Sequence, residues 1–445
     1  MRTPIVTVLV SPVKELCQRP YDHRQPTDGG TRLLTWRSTR LAPPAMDRRD
    51  IVVMGLGYIG LPTASLLATR GHRVRGVDVN ADVVRTISEG RIHIVEPELD
   101  VLVRSAVHSG GLTASTEPAL ADVFILAVPT PFREAHQPDV SYVLAATRAI
   151  APWLRPTNLV ILESTSPVGT TEVVADLLFS LRPDLVGQLF VAHCPERVLP
   201  GRILKELVDN DRVVGGIDPA STDAVVRFYN TFVNGEVLTT DARTAELCKL
   251  VENSYRDVNI AFANELSLLC ERLGVDVWTL IRLANRHPRV HILQPGPGVG
   301  GHCIAVDPWF VVAAAPDLTH LIATARRVND GKAEWVADHV LERAARFTNP
   351  VVACLGLAYK PDIDDLRESP ALHIVRRLVA ELTNGEVLAV EPHVLLVDGI
   401  VLSTLAEAVA RADIVVCLVA HKVFRQLDRA LLAGKIVFDT CGGLR

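Results

Sequence analysis

Cys303 lies in the segment GPGVGGHCIAVDPWF (296–310), behind two glycines and four positions before Asp307. A thiol flanked by glycines can be approached closely by a substrate. Cysteine is a competent nucleophile towards an aldehyde when a neighbour stabilises its thiolate. The same residue types also suit a structural cysteine in a tight turn. Lys249, Asn253 and Arg256 are spaced i, i+4, i+7 in a helical pattern, so they share one face. On that face a lysine can exchange protons or stabilise an oxyanion, and an asparagine can hold a water or hydroxyl. The alternative is a solvated polar stripe.

A second group of residues is suited to phosphate. The turn Gly55-Leu56-Gly57-Tyr58-Ile59-Gly60 follows an apolar strand pattern and opens a helical one. Its glycines permit a tight turn and close backbone approach to a pyrophosphate, which the helix N-terminus then binds. Asp78 closes the next strand pattern, where an acid accepts hydrogen bonds from the adenosine ribose hydroxyls. That acid disfavours a 2′-phosphate, so the expected cofactor is NAD rather than NADP. Lys360 and Arg367, in the loop from Tyr359 to Pro370, are also placed for phosphate contacts, although an ordinary charged loop would read the same way. The hydroxyls of ESTSPVGTT (163–171) could line the nicotinamide end of a cleft.

These residues need a scaffold, and the hydrophobic pattern supplies one. Short apolar runs at 50–54, 73–79, 123–128, 159–163, 189–192 and 212–215 alternate with helical patterns. That alternation predicts a parallel sheet covered on both faces. A helical pattern free of Pro and Gly runs from Thr244 to Leu273. It carries an apolar stripe of Leu247, Leu250, Val251, Val258, Phe262, Leu266 and Leu269. From Pro350 the alternation resumes, with strands expected at 351–357, 387–390, 414–419 and 435–439. The expected plan is an α/β chain: a Rossmann-like NAD domain over 48–238, a central long-helix domain over 239–330, and a second Rossmann-like, nucleotide-sugar domain over 331–445. Residues 1–47 lack periodicity and read as a disordered extension, or as an upstream start with translation beginning at Met46.

Composition narrows the class further. The chain has 445 residues, 48% of them hydrophobic, and a net charge of −5 with both signs interspersed. At roughly 150 residues per domain this suggests about three domains. The mixed charge does not point to a nucleic acid or a membrane surface. Eight cysteines lie scattered without CxxC or Cys/His metal spacing. They suit reduced thiols in the cytoplasm, and no metal is expected.

Taken together and in this order, GLGYIGLPTA, IHIVEPEL, AVPTPF, ILESTSPVGTTE, CPERVLPG, KLVENSYRDVNIAFANELSL, LIRLANRHPRVHILQPGPGVGGHCIAVDPWF and KPDIDDLRESPA resemble the UDP-glucose/GDP-mannose dehydrogenase family over about residues 50–445. The resemblance implies a four-electron, NAD-dependent oxidation of the C6 hydroxyl of a UDP-sugar, through a thiohemiacetal and a thioester on Cys303. It implies that Lys249 is the acid/base and oxyanion group. Asn253 and Asp307 would support the water and the adduct, with Thr165 and Glu196 nearby. Gly55, Gly57, Tyr58, Ile59, Gly60, Asp78, Thr130, Thr171 and Arg367 would contact NAD. Arg197, Val198, Lys249, Asn253, Arg256, His287, Arg289, Gly300, Tyr359 and Lys360 would bind the UDP-sugar. His287 and Arg289 would come from the second subunit of a homodimer built on the central helices.

Three departures from the family pattern stand out. Pro200 replaces a second glutamate four residues after Glu196. Gly-Gly-His-Cys-Ile-Ala-Val-Asp replaces Gly-Gly-Ser-Cys-Phe-Pro-Lys-Asp and points to the N-acetylated-sugar branch. Thr440-Cys441 stands where a basic residue often follows the last strand, leaving Lys422 as a replacement phosphate contact. Three rival readings are the same oxidation of UDP-N-acetylglucosamine, a two-electron β-hydroxyacid dehydrogenase, which needs the helix lysine but no cysteine, and a non-catalytic NAD-binding protein.

Overall fold

A computed structural model describes residues 48–133, 136–199, 201–301 and 303–445. The N-terminal extension and Pro200 therefore lie outside the described residues.

The first sheet contains β1 (Asp50–Met54), β2 (Arg73–Val77), β3 (Leu112–Ser115), β4 (Val123–Leu126), β5 (Leu159–Leu162), β6 (Phe190–His193), β7 (Arg212–Gly216) and β8 (Val237–Asp241). Their order is β3-β2-β1-β4-β5-β6-β7-β8. The order reverses beside β1, whose neighbours are β2 and β4, and this opens a crevice at the carboxyl ends of the strands. The central strands β4 and β5 are buried at every position, as their unbroken Val/Ile/Leu/Phe runs require of a sheet covered on both sides.

The sequence pattern missed two strands and one direction. β3 and β8 are polar, half-exposed edge strands whose Thr and Ser residues leave no apolar run to detect. The expectation of a fully parallel sheet is corrected at β6 and β7, which pair antiparallel through Ala192–Gly216 and His193–Gly215. Among its described residues the intervening segment holds only the short helix Ile203–Asp209, and an antiparallel return needs no helical crossover.

The second sheet has β9 (Val351–Leu355), β10 (Glu386–Val390), β11 (Ile414–Cys417) and β12 (Ile436–Asp439), in the parallel order β10-β9-β11-β12. Between the sheets runs the long helix Ala242–Leu273, capped by Asp241 through Thr244 N and ended by Gly274 in the left-handed region. It packs against a second long helix, His320–Ala344.

The packing seam of these two helices is polar. Arg326, 2% exposed, donates to Asp257 Oδ1 at 2.7 Å and also pairs with Asp330. Asn329 Nδ2 donates to the same Asp257 oxygen at 2.8 Å, and Asn264 Nδ2 donates to Asn329 Oδ1 at 2.9 Å. Removing one member of a buried ion pair typically costs about 3–5 kcal/mol, so this network fixes the register of the two helices. The apolar stripe read on the long helix faces elsewhere. Leu250 is buried, but Leu247, Val251, Phe262 and Leu269 are exposed. Among the described residues, no helix is long and apolar enough to cross a membrane.

Candidate active site

The glycine turn sits between β1 and the helix Gly60–Thr69. Gly55 adopts φ +90, and a Cβ there would lie 2.6 Å from Ala127 O. A Cβ on Gly60 would lie 1.8 Å from Gly55 O, so only glycine lets helix and turn pack this closely. The helix N-cap, Ile59, makes no side-chain cap hydrogen bond; Leu61 N donates to Gly57 O at 3.1 Å and Pro62 has no N–H, so the helix offers an anion its first amide, Gly60 N, beside those of the turn. Asp78 accepts from Leu56 N at 3.0 Å and from Asn80 N at 2.9 Å, and so it is held at the edge of the turn. This cradle fits a dinucleotide pyrophosphate with its ribose on Asp78.

Across from the turn, Cys303 precedes the helix Asp307–Ala314. Its carbonyl accepts from Val306 N at 3.0 Å and Asp307 N at 2.8 Å, so the thiol and Asp307 belong to one tight turn. Asp307 is buried and accepts from Asn253 Nδ2 at 2.5 Å. Burial pushes the Asp307 carboxyl up to about 6, against the opposing pull of Lys249 and the Asn253 hydrogen bond. The Cys303 thiol is also pushed up, first by burial and then by the Asp307 charge. Lys249, Arg367 and Lys360 pull it back down. The long helix thus delivers Lys249 and Asn253 to one thiol–carboxylate pair.

These groups share a cleft of about 1140 Å³. That is at the upper end of single-ligand sites, as a site for cofactor and substrate together would be. On its wall stand Gly55, Gly57, Tyr58, Ile59 and Asp78 from the cofactor set, with Thr130 and Arg367. Thr165, Glu196, Val198, Lys249, Cys303 and Asp307 line it too. Arg367 lies over the Tyr58 ring at 5.4 Å, so a loop after β9 reaches the glycine turn after β1. Thr130 Oγ1 donates to Thr165 O at 2.6 Å and ties the loops after β4 and β5 together.

Other expected residues lie off the wall. Gly60 works behind the turn, and Asn253 acts through Asp307. Thr171 is fully buried, and its hydroxyl and amide both donate to Glu246 Oε1. Arg197 pairs with Glu252 at 3.1 Å. Arg256, His287 and Arg289 are exposed away from the cleft. Gly300, Tyr359 and Lys360 form the layer behind Cys303. There a Cβ on Gly300 would meet Glu368 O at 2.5 Å, and one on Gly301 would meet the Tyr359 ring at 2.9 Å. Lys422 is paired with Asp362 at 3.9 Å, and Cys441 Sγ lies 3.7 Å from Cys417 Sγ.

The sequence reading undervalued one cluster. Glu163 ends the apolar run of β5, is 2% exposed and lines the cleft. It accepts from Tyr229 OH at 2.6 Å, while its other carboxylate oxygen has no partner among the described residues. Burial first, and then the Glu196 charge, push its carboxyl up to about 7. Glu196 itself is engaged at both oxygens, by Arg212 at 2.7 Å and by Arg197 N at 2.7 Å. A carboxylate closing a wholly apolar strand was the available signal, but the neighbouring hydroxyls drew the reading away from it.

Family models for the NAD binding, central and UDP binding domains of the UDP-glucose/GDP-mannose dehydrogenases match residues 49–233, 243–331 and 353–445. The chain belongs to this family. It is an NAD-dependent oxidoreductase of the nucleotide-sugar dehydrogenase class. It is 58% identical over 409 residues to the NDP-N-acetyl-D-galactosaminuronic acid dehydrogenase of Ralstonia nicotianae, covering 89% of this chain and 96% of that one. It is 53% identical over 418 residues to the UDP-N-acetyl-D-mannosamine dehydrogenase of Escherichia coli K12, covering 89% and 99%. The structure of a UDP-D-ManNAc dehydrogenase from Pyrococcus horikoshii superposes with a TM-score of 0.82 at 39% identity, covering 89% and 96%.

The charges around Cys303 in this family member make a signed prediction. Asp307→Asn removes the negative charge that disfavours the thiolate and speeds Cys303 alkylation by iodoacetamide at pH 7.5 by about threefold or more, whereas Lys249→Met slows it. Peptide mass spectrometry follows the rate at Cys303, and equal rates in both variants would contradict the electrostatics described.

Proposed function

We propose that this chain oxidises the C6 hydroxyl of UDP-N-acetyl-D-mannosamine to the carboxylate, consuming two NAD per sugar. The observation that carries this reading is the juxtaposition of Cys303, Asp307 and Lys249 on a cleft shared with the glycine turn, with Asn253 behind Asp307. A two-electron dehydrogenase needs no thiol there. The 53% identity to enzymes named UDP-N-acetyl-D-mannosamine dehydrogenase supports the sugar. The 58% identity to an N-acetyl-galactosaminuronic acid dehydrogenase favours a galacto-configured N-acetyl sugar as the second reading, and UDP-N-acetylglucosamine is the further epimer to exclude.

When bound, NAD supplies the hydride acceptor for both oxidations. Lys249 and the thiol hold the substrate between them. The Cys303 sulfur adds to the C6 aldehyde to form a thiohemiacetal, with the Lys249 ammonium stabilising the oxyanion. The second oxidation leaves a thioester on the same sulfur, so the aldehyde never leaves the protein. Water then cleaves the thioester to the carboxylate and frees the thiol. Asp307, with its carboxyl raised to about 6, is ionised at neutral pH yet basic enough to take the proton of that water. Per turnover, one alcohol, one water and two NAD give one carboxylate, two NADH and three protons.

Three further readings accompany this one. The exposed row Leu247, Val251, Tyr255, Phe262 and Leu269 on the long helix supports a homodimer. In such a dimer, exposed His287 and Arg289 would serve the partner's cleft. The enzyme would act in the cytoplasm, in keeping with its free cysteines, and supply a uronate for surface polysaccharide.

NADH formed per sugar consumed should be two with UDP-N-acetyl-D-mannosamine. It should exceed that from the gluco and galacto epimers, with the product identified by mass spectrometry. A ratio of one would contradict the thioester route, and preference for another epimer would move the substrate. Sedimentation should show a dimer for the parent and a monomer for Phe262→Glu; a parent monomer would remove the dimer.

A further inference from the structure

The loop that carries Tyr359 and Lys360 is held at both ends by one buried pair. Glu391 follows β10 and is 6% exposed, and His421 lies beyond β11 and is fully buried. Glu391 Oε2 accepts from Leu357 N at 2.7 Å and Ala358 N at 3.0 Å, where the chain leaves β9. Four residues on, Asp362 N donates to His421 Nδ1 at 2.9 Å. His421 Nε2 lies 3.2 Å from Glu391 Oε2, which closes the circuit. The partners assign the tautomer: Nδ1 faces an N–H and accepts, and Nε2 faces a carboxylate and carries the hydrogen. Asp362 is a non-glycine residue at φ +60, a conformation that needs such fastening. Lys422 N, next to His421, donates to Asp362 Oδ1 at 3.0 Å and adds to it.

The fastened loop touches the chemistry. The Tyr359 ring presses on Gly301, and Gly300 leaves no room for a Cβ beside Tyr359 and Glu368. Gly301 N also donates to Arg367 O at 3.1 Å. The loop is therefore the surface against which the Cys303 turn is set, and it carries Lys360, whose charge acts on the thiol. The same group could be read as a metal site, because Asp362, His393 and His421 lie close enough to share an ion. The His421 Nδ1 lone pair is already engaged by Asp362 N, which argues against that use.

We infer that His421, acting with Glu391, is a positioning residue that clamps the 357–362 loop and thereby sets Lys360 and the Cys303 turn for the UDP-sugar. This rests on the proposed nucleotide-sugar reading, and the test separates the two. Asn at 421 can keep an acceptor near the Nδ1 position, whereas Gln keeps a donor near Nε2 and loses the acceptor. His421→Gln should raise KM for the UDP-sugar by about fivefold, the loss of the hydrogen bond that holds Asp362 N, and His421→Asn, which loses only the Glu391 contact, should raise it less. NAD affinity, read by fluorescence titration, should be unchanged in both, since the glycine turn lies in the other sheet's domain and Arg367, which lies over Tyr58, stands beyond the clamped 357–362 segment and is held by Asp365. Amide exchange at residues 357–362 should be faster in the Gln variant than in the Asn variant. Equal KM values in the two variants, equal loop exchange, or a matching loss of NAD affinity would each overturn the clamp. If the parent oxidises no UDP-sugar, the functional reading fails, while loop exchange and Cys303 alkylation in the same variants still decide the clamp.

Discussion

Asp307 is buried beside a half-buried thiol, and the rest of the site answers to that constraint. Burial raises the proton affinity of both groups, and the Asp307 charge raises that of the thiol further. The site is workable because Lys249 lies close to both and Asn253 donates to the carboxylate. Both come from one face of the long helix. The register of that helix is fixed in turn by the Arg326–Asp257–Asn329 seam with the second long helix. The seam is remote from the thiol in sequence but governs where the ammonium sits. The outcome is a thiol restrained from ionising fully in the resting protein and a carboxylate near the proton affinity a general base needs.

The cleft also depends on two sheets facing one reaction centre. The first contributes backbone amides and glycines at the carboxyl ends of its strands, where doubly wound sheets bind ligands. The second contributes a cationic loop after β9. The two meet where Arg367 lies over Tyr58, and Cys303 is held between them by glycines that no larger residue could replace.

Much of this was legible in the sequence because it rests on local rules. The glycine turn, Asp78 and the strand–helix alternation announce themselves within a few residues. The i, i+4 spacing put Lys249 and Asn253 on one face before any fold was known. Edge strands β3 and β8 escaped because polar, half-exposed segments carry no apolar signal. The antiparallel β6–β7 pair escaped because strand direction depends on the path between strands. Longer-range pairings were out of reach. Nothing near Thr171 announces that Glu246 will take its hydroxyl, nothing near Glu163 announces Tyr229, and nothing near Glu196 announces Arg212. The exposed apolar row on the long helix was visible as a stripe, but only the fold shows that this chain leaves it uncovered.

The central claim is that the substrate becomes covalently attached to Cys303 between the two oxidations. Acid quenching during turnover with UDP-N-acetyl-D-mannosamine and NAD, followed by peptide mass spectrometry, tests it directly. The account predicts a uronyl thioester on the Cys303 peptide that appears only when NAD is present and that builds up when Asp307 is replaced by Asn. Uronate formed at the parent rate, with Cys303 unmodified at every quench time, would contradict it.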